Sequence, residues 1–255
     1  MVYALGATGD PRVIPVLERE LSRLQAGPYM EVLYALTLAG EPSALLRALR
    51  SMYATVYFDR NARAVDFIAG AIGPPAVPLL IQEIPRRAEK SRMAGLGALG
   101  TICDDAATGF LLRWTRRPSP EDRRYALIAL ARIGSPSAVG ALLAGLESDE
   151  PEIREAAVEG LGYLRDPRAV PPLMRILERP GAPRQTERLR AIWTLGLIGG
   201  PQARRALLAH WERAAEGSQD RVLVVRALGR LEDPAAVPLL AEVATGSSPM
   251  AVDAA

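Results

Sequence analysis

Apolar residues recur along this chain with the spacing of an α-helix, in short blocks that prolines interrupt. The clearest block spans residues 151–179. In its first half the apolar residues fall on one face of a helix: Ile153, Ala156, Ala157, Leu161 and Leu164. In its second half the same face is formed by Leu173, Ile176 and Leu177.

The boundary between the two halves is the dipeptide Asp166-Pro167. Proline ends a helix because it lacks a backbone N–H and restricts the residue before it. Asp149 is expected to cap the first helix, with Pro151 in its first turn. No run alternates apolar and polar residues over the length of a strand, so the block predicts two antiparallel helices joined by a tight turn.

The Asp-Pro phrase, or a substitute for it, recurs eight times along the chain and marks the copies of this block. The phrases end at residues 11, 42, 74, 105, 136, 167, 201 and 234, which are 31 to 34 residues apart. Such a period indicates stacked repeats, in which neighbouring helix pairs bury each other's apolar faces. We predict an all-α solenoid in which residues 1–255 form a single array of about seven and a half helical hairpins. Both ends match incomplete repeats, so we expect either a segment of a longer array or ends that pack on something else.

Two rows of residues support stacking because they keep their character from copy to copy. The row of Leu161 in the first helix also contains Leu36, Ile68, Leu99, Leu130, Leu195 and Leu228. The row of Ala169 at the start of the second helix is small, so that the two helices can approach closely: Val13, Ala44, Ala76, Ala107, Ala138, Ala203 and Ala236.

The phrases LGYLRDPRAVP at 161–171 and LEDPAAVP at 231–238 resemble HEAT-like repeats of the short kind found in phycobilisome lyase-related proteins. The resemblance covers essentially the whole chain. It implies a right-handed superhelix of HEAT/armadillo type whose second helices line a concave groove. It also implies a protein-binding scaffold or adaptor.

Composition adds few constraints on function. The net charge of +2 does not require a polyanionic partner, and the basic residues are 30 Arg and the single Lys90. The arginine excess fits either recognition of carboxylate and phosphate or the codon usage of a GC-rich genome. Cys103 is the only cysteine, so an internal disulfide is excluded, and we expect it to be buried. With no signal peptide or long apolar stretch, we expect a cytoplasmic, bacterial protein.

Arginine occupies one repeat position in five consecutive first helices: Arg92, Arg123, Arg154, Arg188 and Arg221. We predict that these arginines form a ladder with acidic residues near helix starts, namely Asp122, Asp149, Glu187 or Asp220. Exposed ion pairs of this kind contribute little individually.

The second helices carry two further rows of arginine, four residues apart and therefore on one face. We predict that the rows bind an acidic segment of another protein; alternatively, the arginine stems only cover apolar surface. Tyr53 beside Arg50 has the composition of an interface hot spot, or else fills an irregular core. The candidate partner-binding residues are Arg19, Arg23, Arg50, Tyr53, Arg86, Arg113, Arg117, Arg175, Arg179 and Arg213.

Candidates for catalysis are few, and we predict a non-catalytic protein without a cofactor or metal. His210 is the only histidine, which excludes sites with several histidine or cysteine ligands. We expect His210 to lie on the surface, without a catalytic partner. Trp193, on a first helix, is expected in the core, whereas Trp114 and Trp211 lie on second helices.

Two alternative functions stay open from resemblance. HEAT-like DNA glycosylases use tryptophans on a basic concave surface, which makes nucleic-acid binding or a glycosylase-type protein the first alternative. Some relatives of the phycobilisome lyase type attach or handle a bilin, which makes a bilin lyase or chaperone-like subunit the second.

Overall fold

A computed structural model describes residues 2–23, 29–41, 43–51, 58–178, 185–231, 237 and 240–241 of the chain. The chain divides into two compact units, Met1–Ser135 and Pro136–Ala255. In the first unit the α-helices are α1 (Val2–Gly6), α2 (Ile14–Arg23), α3 (Tyr29–Leu38), α4 (Ser43–Ser51), α5 (Phe58–Ile72), α6 (Ala76–Glu83), α7 (Glu89–Ile102), α8 (Thr108–Trp114) and α9 (Pro120–Ile133). In the second unit they are α10 (Ala138–Gly145), α11 (Pro151–Leu164), α12 (Val170–Glu178), α13 (Gln185–Ile198), α14 (Gly200–Arg213) and α15 (Gln219–Arg230).

Odd-numbered helices are the first helices of the repeats, and even-numbered helices are the second helices. Within the first unit, α1, α3, α5, α7 and α9 pack in succession; within the second, α11, α13 and α15 do the same. Each unit is therefore built from stacked helix pairs, which confirms the predicted all-α fold. That the two units belong to one continuous array stays a prediction. None of the described helices is long and apolar enough to cross a membrane.

The Asp-Pro phrase forms a hydrogen-bonded turn between the two helices of a pair, as the copies at Asp166 and Asp10 show. Asp166 Oδ1 accepts the backbone N–H of Arg168 at 2.8 Å, and Asp166 Oδ2 accepts Arg168 Nη2 at 2.7 Å. Asp10 accepts the same two hydrogen bonds from Arg12, at 2.9 Å from the backbone N–H and at 2.6 Å from Nη2. Hydrogen bonds from these arginines lower the pKa of Asp166 and of Asp10 below the ordinary value. The carboxylate thus caps the 3₁₀ turn that leads into the second helix.

Several first helices end on a residue in the left-handed region, where glycine is the favoured residue. Gly134 caps α9 in this way with φ 77°, whereas Cys103 caps α7 with φ 56°. Cys103 is exposed at this turn, so the prediction that it is buried was wrong. The residue is exposed because the C-cap position projects away from the apolar stripe. Its Sγ lies 3.1 Å from the carbonyl oxygen of Gly100.

The core follows the rows predicted from the sequence. Every member of the Leu161 row is fully buried, and so are six alanines of the Ala169 row: Ala44, Ala76, Ala107, Ala138, Ala169 and Ala203. Val13 is half-buried, and Ala236 lies outside the described residues. Burial of each large aliphatic side chain contributes roughly 1.5 to 3 kcal/mol.

Successive first helices approach most closely where a glycine faces an alanine. A Cβ atom placed on Gly100 would lie 2.8 Å from Cα of Ala129, and one on Gly196 would lie 2.8 Å from Cβ of Ala227. The same position at Gly6 would bring a Cβ within 2.5 Å of the Ala35 backbone. In each case the glycine directly follows the Leu161-row position of its own first helix. The alanine directly precedes the Leu161-row position of the next first helix.

The predicted arginine ladder is present at Arg92, Arg154 and Arg188, and it is more buried there than expected. Each acid lies directly before the ladder arginine of the following repeat. The side chains of Arg154 and Glu187 are only 8% and 6% exposed, so this pair is not a weak surface ion pair. The ladder pairs are Arg92 Nε–Asp122 Oδ1 at 3.0 Å, Arg154 Nε–Glu187 Oε1 at 2.9 Å and Arg188 Nε–Asp220 Oδ2 at 2.6 Å.

A second set of hydrogen bonds ties the ladder arginines to the chain that precedes their own helix. Arg92 Nη1 donates to the carbonyl of Arg87 at 3.1 Å, and Arg154 Nη1 donates to that of Ser148 at 2.7 Å. One guanidinium therefore joins the end of one repeat to the first helices of two others.

Asp149 does not take the two roles predicted for it. The N-cap residue of α11 is Glu150, which makes no side-chain capping bond. Asp149 itself is exposed and forms no ion pair with a described residue. The residue before Arg154 is Ile153, so the acid of the ladder is missing from that repeat.

The glycine contacts predict opposite effects of the same substitution at two sites. Gly196→Ala should lower the free energy of unfolding by about 1–3 kcal/mol, because overpacking forces the two backbones apart. Gly229→Ala is the control: a Cβ there meets nothing within 4 Å, and alanine favours the helix by up to about 1 kcal/mol. Urea unfolding followed by circular dichroism measures both, and stabilisation by both substitutions would contradict the close approach.

Because the ladder pair is buried, we predict that removing one of its two charges lowers the free energy of unfolding more than removing both. Glu187→Ala should destabilise the chain by about 3–5 kcal/mol, because it leaves the Arg154 guanidinium buried without its carboxylate. Replacing both residues together, Arg154→Met with Glu187→Leu, should be much less harmful since no buried charge remains. A double-mutant cycle from denaturant unfolding tests this, and additive losses would count against it.

Candidate protein-binding surfaces

The described arginines predicted to bind a partner lie on second helices or in the turn directly after them, and those whose side chains the structure describes are exposed. In the first unit these are Arg19, Arg23, Arg86, Arg113 and Arg117; in the second they are Arg175 and Arg213. The side chain of Arg50, together with Tyr53 and Arg179, lies outside the described part of the chain. Whether these residues bind a partner stays a prediction.

Neighbouring carboxylates neutralise the arginines to different degrees. In the second unit, Arg175 Nη2 lies 3.7 Å from Glu147 Oε1, and Arg213 Nη1 lies 3.9 Å from Glu178 Oε1. In the first unit, Arg23 pairs with Glu20 at 3.0 Å and Arg86 with Glu83 at 3.5 Å. Arg19, Arg113 and Arg117, by contrast, form no ion pair with any residue that the structure describes. Two of these three, Arg113 and Arg117, lie together at the end of α8, where uncompensated positive charge is concentrated.

Arg116 belongs to the same site, although the row pattern did not predict it. It is exposed and likewise forms no ion pair within the described ranges. A sequence signal was available, because residues 108–118 contain three arginines and no acidic residue. We call Arg113, Arg116 and Arg117 the α8 arginine cluster.

Two aromatic side chains hold this cluster in place. The guanidinium of Arg117 lies 5.1 Å from the ring centroid of Trp114, and that of Arg113 lies 5.9 Å from that of Phe110. The two rings are 5.3 Å apart and are 5–6% exposed. Arg113 Nη1 also donates to the carbonyl of Gly109 at 3.1 Å. The arginines thus cover apolar surface, as the alternative interpretation proposed, while in-plane N–H groups remain for an anion.

His210 is buried, contrary to the expectation of a surface residue without a partner. Its Nε2 lies 3.0 Å from Asp220 Oδ2, and the residue is 5% exposed. Asp220 is the ladder acid of Arg188, so one carboxylate serves both side chains. The pairing depends on the turn between α14 and α15, which the sequence alone does not place. No group of His, Cys, Asp and Glu suited to a metal ion occurs among the described residues.

The first helices of each unit carry a groove that the sequence analysis missed. In the second unit a groove of about 420 Å³ is lined by Glu159, Leu189, Arg190, Trp193, Thr194, Gln219 and Leu223, among others. Trp193 was predicted to lie in the core, but it is 36% exposed. Its place in the repeat was a usable signal, because it lies two residues before the buried Leu195, which is the opposite side of a helix.

The groove of the first unit, of about 410 Å³, occupies equivalent repeat positions. Arg63 and Asp66 precede the buried Ile68 by the same intervals as Arg190 and Trp193 precede Leu195. Its walls include the exposed Phe67 and Tyr34, whose rings meet edge to face at 6.4 Å. Burial raises the pKa of Asp66, and the positive charge of Arg132 opposes that rise in pKa.

Comparison with protein families identifies the class. Residues 108–188 match the model of HEAT repeats, and residues 220–245 match the model of the PBS lyase HEAT-like repeat. These two segments are therefore HEAT-like repeats, as their phrases indicated, and the stacked helix pairs of the described residues have the fold class of an α-solenoid. Among curated proteins, no sequence matches it.

Two solved structures illustrate the likeness in fold. Human deoxyhypusine hydroxylase in complex with glycerol is 18% identical, with a TM-score of 0.41, over 98% of this chain and 96% of that one. The complex of CpcE and CpcF of phycocyanin lyase from Nostoc sp. PCC7120 is 20% identical, with a TM-score of 0.47, over 84% of this chain and 94% of that one.

These structures correct the prediction that the chain is not an enzyme. Both structures are of proteins named as enzymes, a hydroxylase and a lyase. The presence of a single histidine therefore does not exclude catalysis by this chain. At such low identity the likeness concerns the fold alone and assigns no reaction to this chain.

The shifted pKa of Asp66 predicts a stability effect that depends on pH. Burial disfavours the ionised carboxylate in the folded chain, so its penalty is absent below the unfolded pKa of 3.8 and complete above the raised folded pKa. Asp66→Asn should therefore raise the free energy of unfolding at neutral pH, and the gain should shrink as the pH falls toward 3.8. Urea unfolding across this range measures it.

Asp149→Asn is the matched control for this measurement. Asp149 is exposed and forms no ion pair within the described ranges, so its replacement should change the free energy of unfolding by less than about 0.5 kcal/mol. A gain for Asp66→Asn that did not vary with pH would contradict the electrostatic cause.

Proposed function

We propose that this HEAT-like repeat protein is a scaffold or adaptor that binds an acidic segment of another protein through the α8 arginine cluster. The observation that carries the proposal is the set of three exposed arginines that no described carboxylate neutralises. HEAT repeats generally mediate protein interactions, and stacked repeats offer extended surfaces for them. A bacterial, cytoplasmic setting is part of the proposal and rests on sequence alone.

The geometry of the cluster suits carboxylates. Arginine binds a carboxylate through two parallel N–H groups in the plane of the guanidinium. The guanidinium groups of Arg117 and Arg113 lie over the rings of Trp114 and Phe110. Apart from Arg113 Nη1, which donates to Gly109, their N–H groups can donate to a carboxylate. Because the rings restrict both side chains before binding, less conformational entropy is lost when the partner arrives.

Residues beside the cluster extend the proposed surface along the first unit. Arg86 occupies the repeat position of Arg117 on the preceding second helix and is exposed. It lies 3.5 Å from Glu83, so we assign it a smaller share of the binding. Arg175 and Arg213 of the second unit are each paired with a glutamate, and an acidic segment would have to compete with that glutamate. Arg50, Tyr53 and Arg179 remain candidates from their repeat positions.

Charge reversal in the cluster should abolish most of the binding. The probe is a short fluorescein-labelled peptide of alternating glutamate and alanine, titrated with the full chain and followed by fluorescence anisotropy. Arg113→Glu with Arg117→Glu should weaken binding at least about tenfold, equivalent to 1.4 kcal/mol. Added salt should weaken binding by the unaltered chain.

The control makes the same change of charge at the compensated arginines. Arg175→Glu with Arg213→Glu should leave the affinity for the acidic peptide within about twofold, a difference well below 1 kcal/mol. Equal losses in both variants would reject the α8 arginine cluster as the site. Tighter binding of a DNA duplex than of the peptide would favour a nucleic-acid partner instead.

A further inference from the structure

The outward side of α11, α13 and α15 offers a second surface, distinct from the arginines of the second helices. Its floor is apolar and open: Leu189 and Trp193 of α13 lie beside Leu223 of α15. Large apolar side chains open to solvent and bordered by polar residues are typical of interaction sites. We call this surface the α13 groove.

The two sides of the α13 groove carry opposite charges. On α11, three glutamates spaced three and four residues apart fall on one face: Glu152, Glu155 and Glu159. On α15, Arg226 and Arg230 are exposed four residues apart. Because α11 and α15 both pack against α13, the floor lies between an acidic side and a basic side.

Existing contacts hold both sides in position. Arg190 of α13 lies 3.3 Å from Glu155 and 3.3 Å from Glu159, which fixes α13 against the acidic side. Tyr163 donates to Glu159 at 3.3 Å. On the basic side, the guanidinium of Arg230 lies 5.7 Å from the ring centroid of Trp193. The floor and its two charged sides therefore form one connected surface.

We propose that the α13 groove binds an amphipathic α-helix of a partner protein, with basic residues facing α11 and acidic residues facing α15. A helix can place its apolar stripe on the floor and a flank of each sign against the opposite charge. A helix with flanks of a single sign would be repelled by one side of the groove. Trp193 is the anchor, since tryptophan dominates the energy of many such contacts.

The test uses three synthetic helical peptides with the same leucine stripe. The first has lysine on one flank and glutamate on the other, the second has only lysine, and the third has only glutamate. The α8 arginine cluster would itself bind an acidic peptide, so the measurement uses the full chain with Arg113→Glu and Arg117→Glu, in which fluorescence anisotropy should show the tightest binding for the first peptide. Equal or tighter binding of either single-sign peptide by this variant would overturn the proposal.

Two variants separate a specific site from a general apolar contact. Trp193→Ala should weaken binding of the two-sign peptide at least about tenfold, whereas Phe67→Ala, an exposed aromatic on a first helix of the other unit, should leave it unchanged. Arg226→Glu with Arg230→Glu makes both sides acidic and should shift the preference to the lysine peptide. Circular dichroism confirms that each variant is folded.

Two results would assign the groove differently. If Trp193→Ala and Phe67→Ala weakened binding of the two-sign peptide equally, the α13 groove would be rejected as the binding site. Self-association of the chain in sedimentation, lost on Trp193→Ala, would overturn it in favour of a contact between copies. Binding of the glutamate–alanine peptide to the α8 arginine cluster should survive Trp193→Ala, so this proposal and the proposed function can fail separately.

Discussion

The close approach of successive first helices is the constraint on which the rest of each unit depends. It requires a position without a side chain on one helix and a methyl group on the next, as at Gly100 with Ala129 and Gly196 with Ala227. Any larger side chain at the glycine would separate the helices. That separation would also lengthen the ladder contacts, which span the same pairs of helices at 2.6–3.0 Å.

The ladder contacts fix how successive repeats are aligned with one another. A guanidinium that reaches a carboxylate of the next repeat and a carbonyl before its own helix can be satisfied only when the repeats are correctly aligned. The pair Arg154–Glu187 is almost wholly removed from water. Since desolvation offsets much of the attraction in such a pair, we attribute to it a larger role in selecting one alignment than in adding stability.

Stacking leaves the two kinds of helix with surfaces of different chemistry. The second helices present arginines, which are neutralised at Arg175 and Arg213 but not at Arg113 and Arg117. The first helices present grooves with an exposed aromatic side chain, Phe67 in one unit and Trp193 in the other. The two kinds of surface suit ligands of different chemistry, carboxylates for the arginines and apolar side chains for the grooves.

Sequence alone determined the repeat, the helix pairs, the buried Leu161 row and the ladder, because these depend on spacing along one chain. It placed Arg113 and Arg117 on an exposed helix face, but not over Trp114 and Phe110, whose burial required the folded unit. Tertiary structure alone decided which arginines lie near a glutamate, that His210 meets Asp220, and that Leu189, Trp193 and Leu223 form an open floor. Those features join side chains from different helices, and a periodic sequence does not encode their distances in any single repeat.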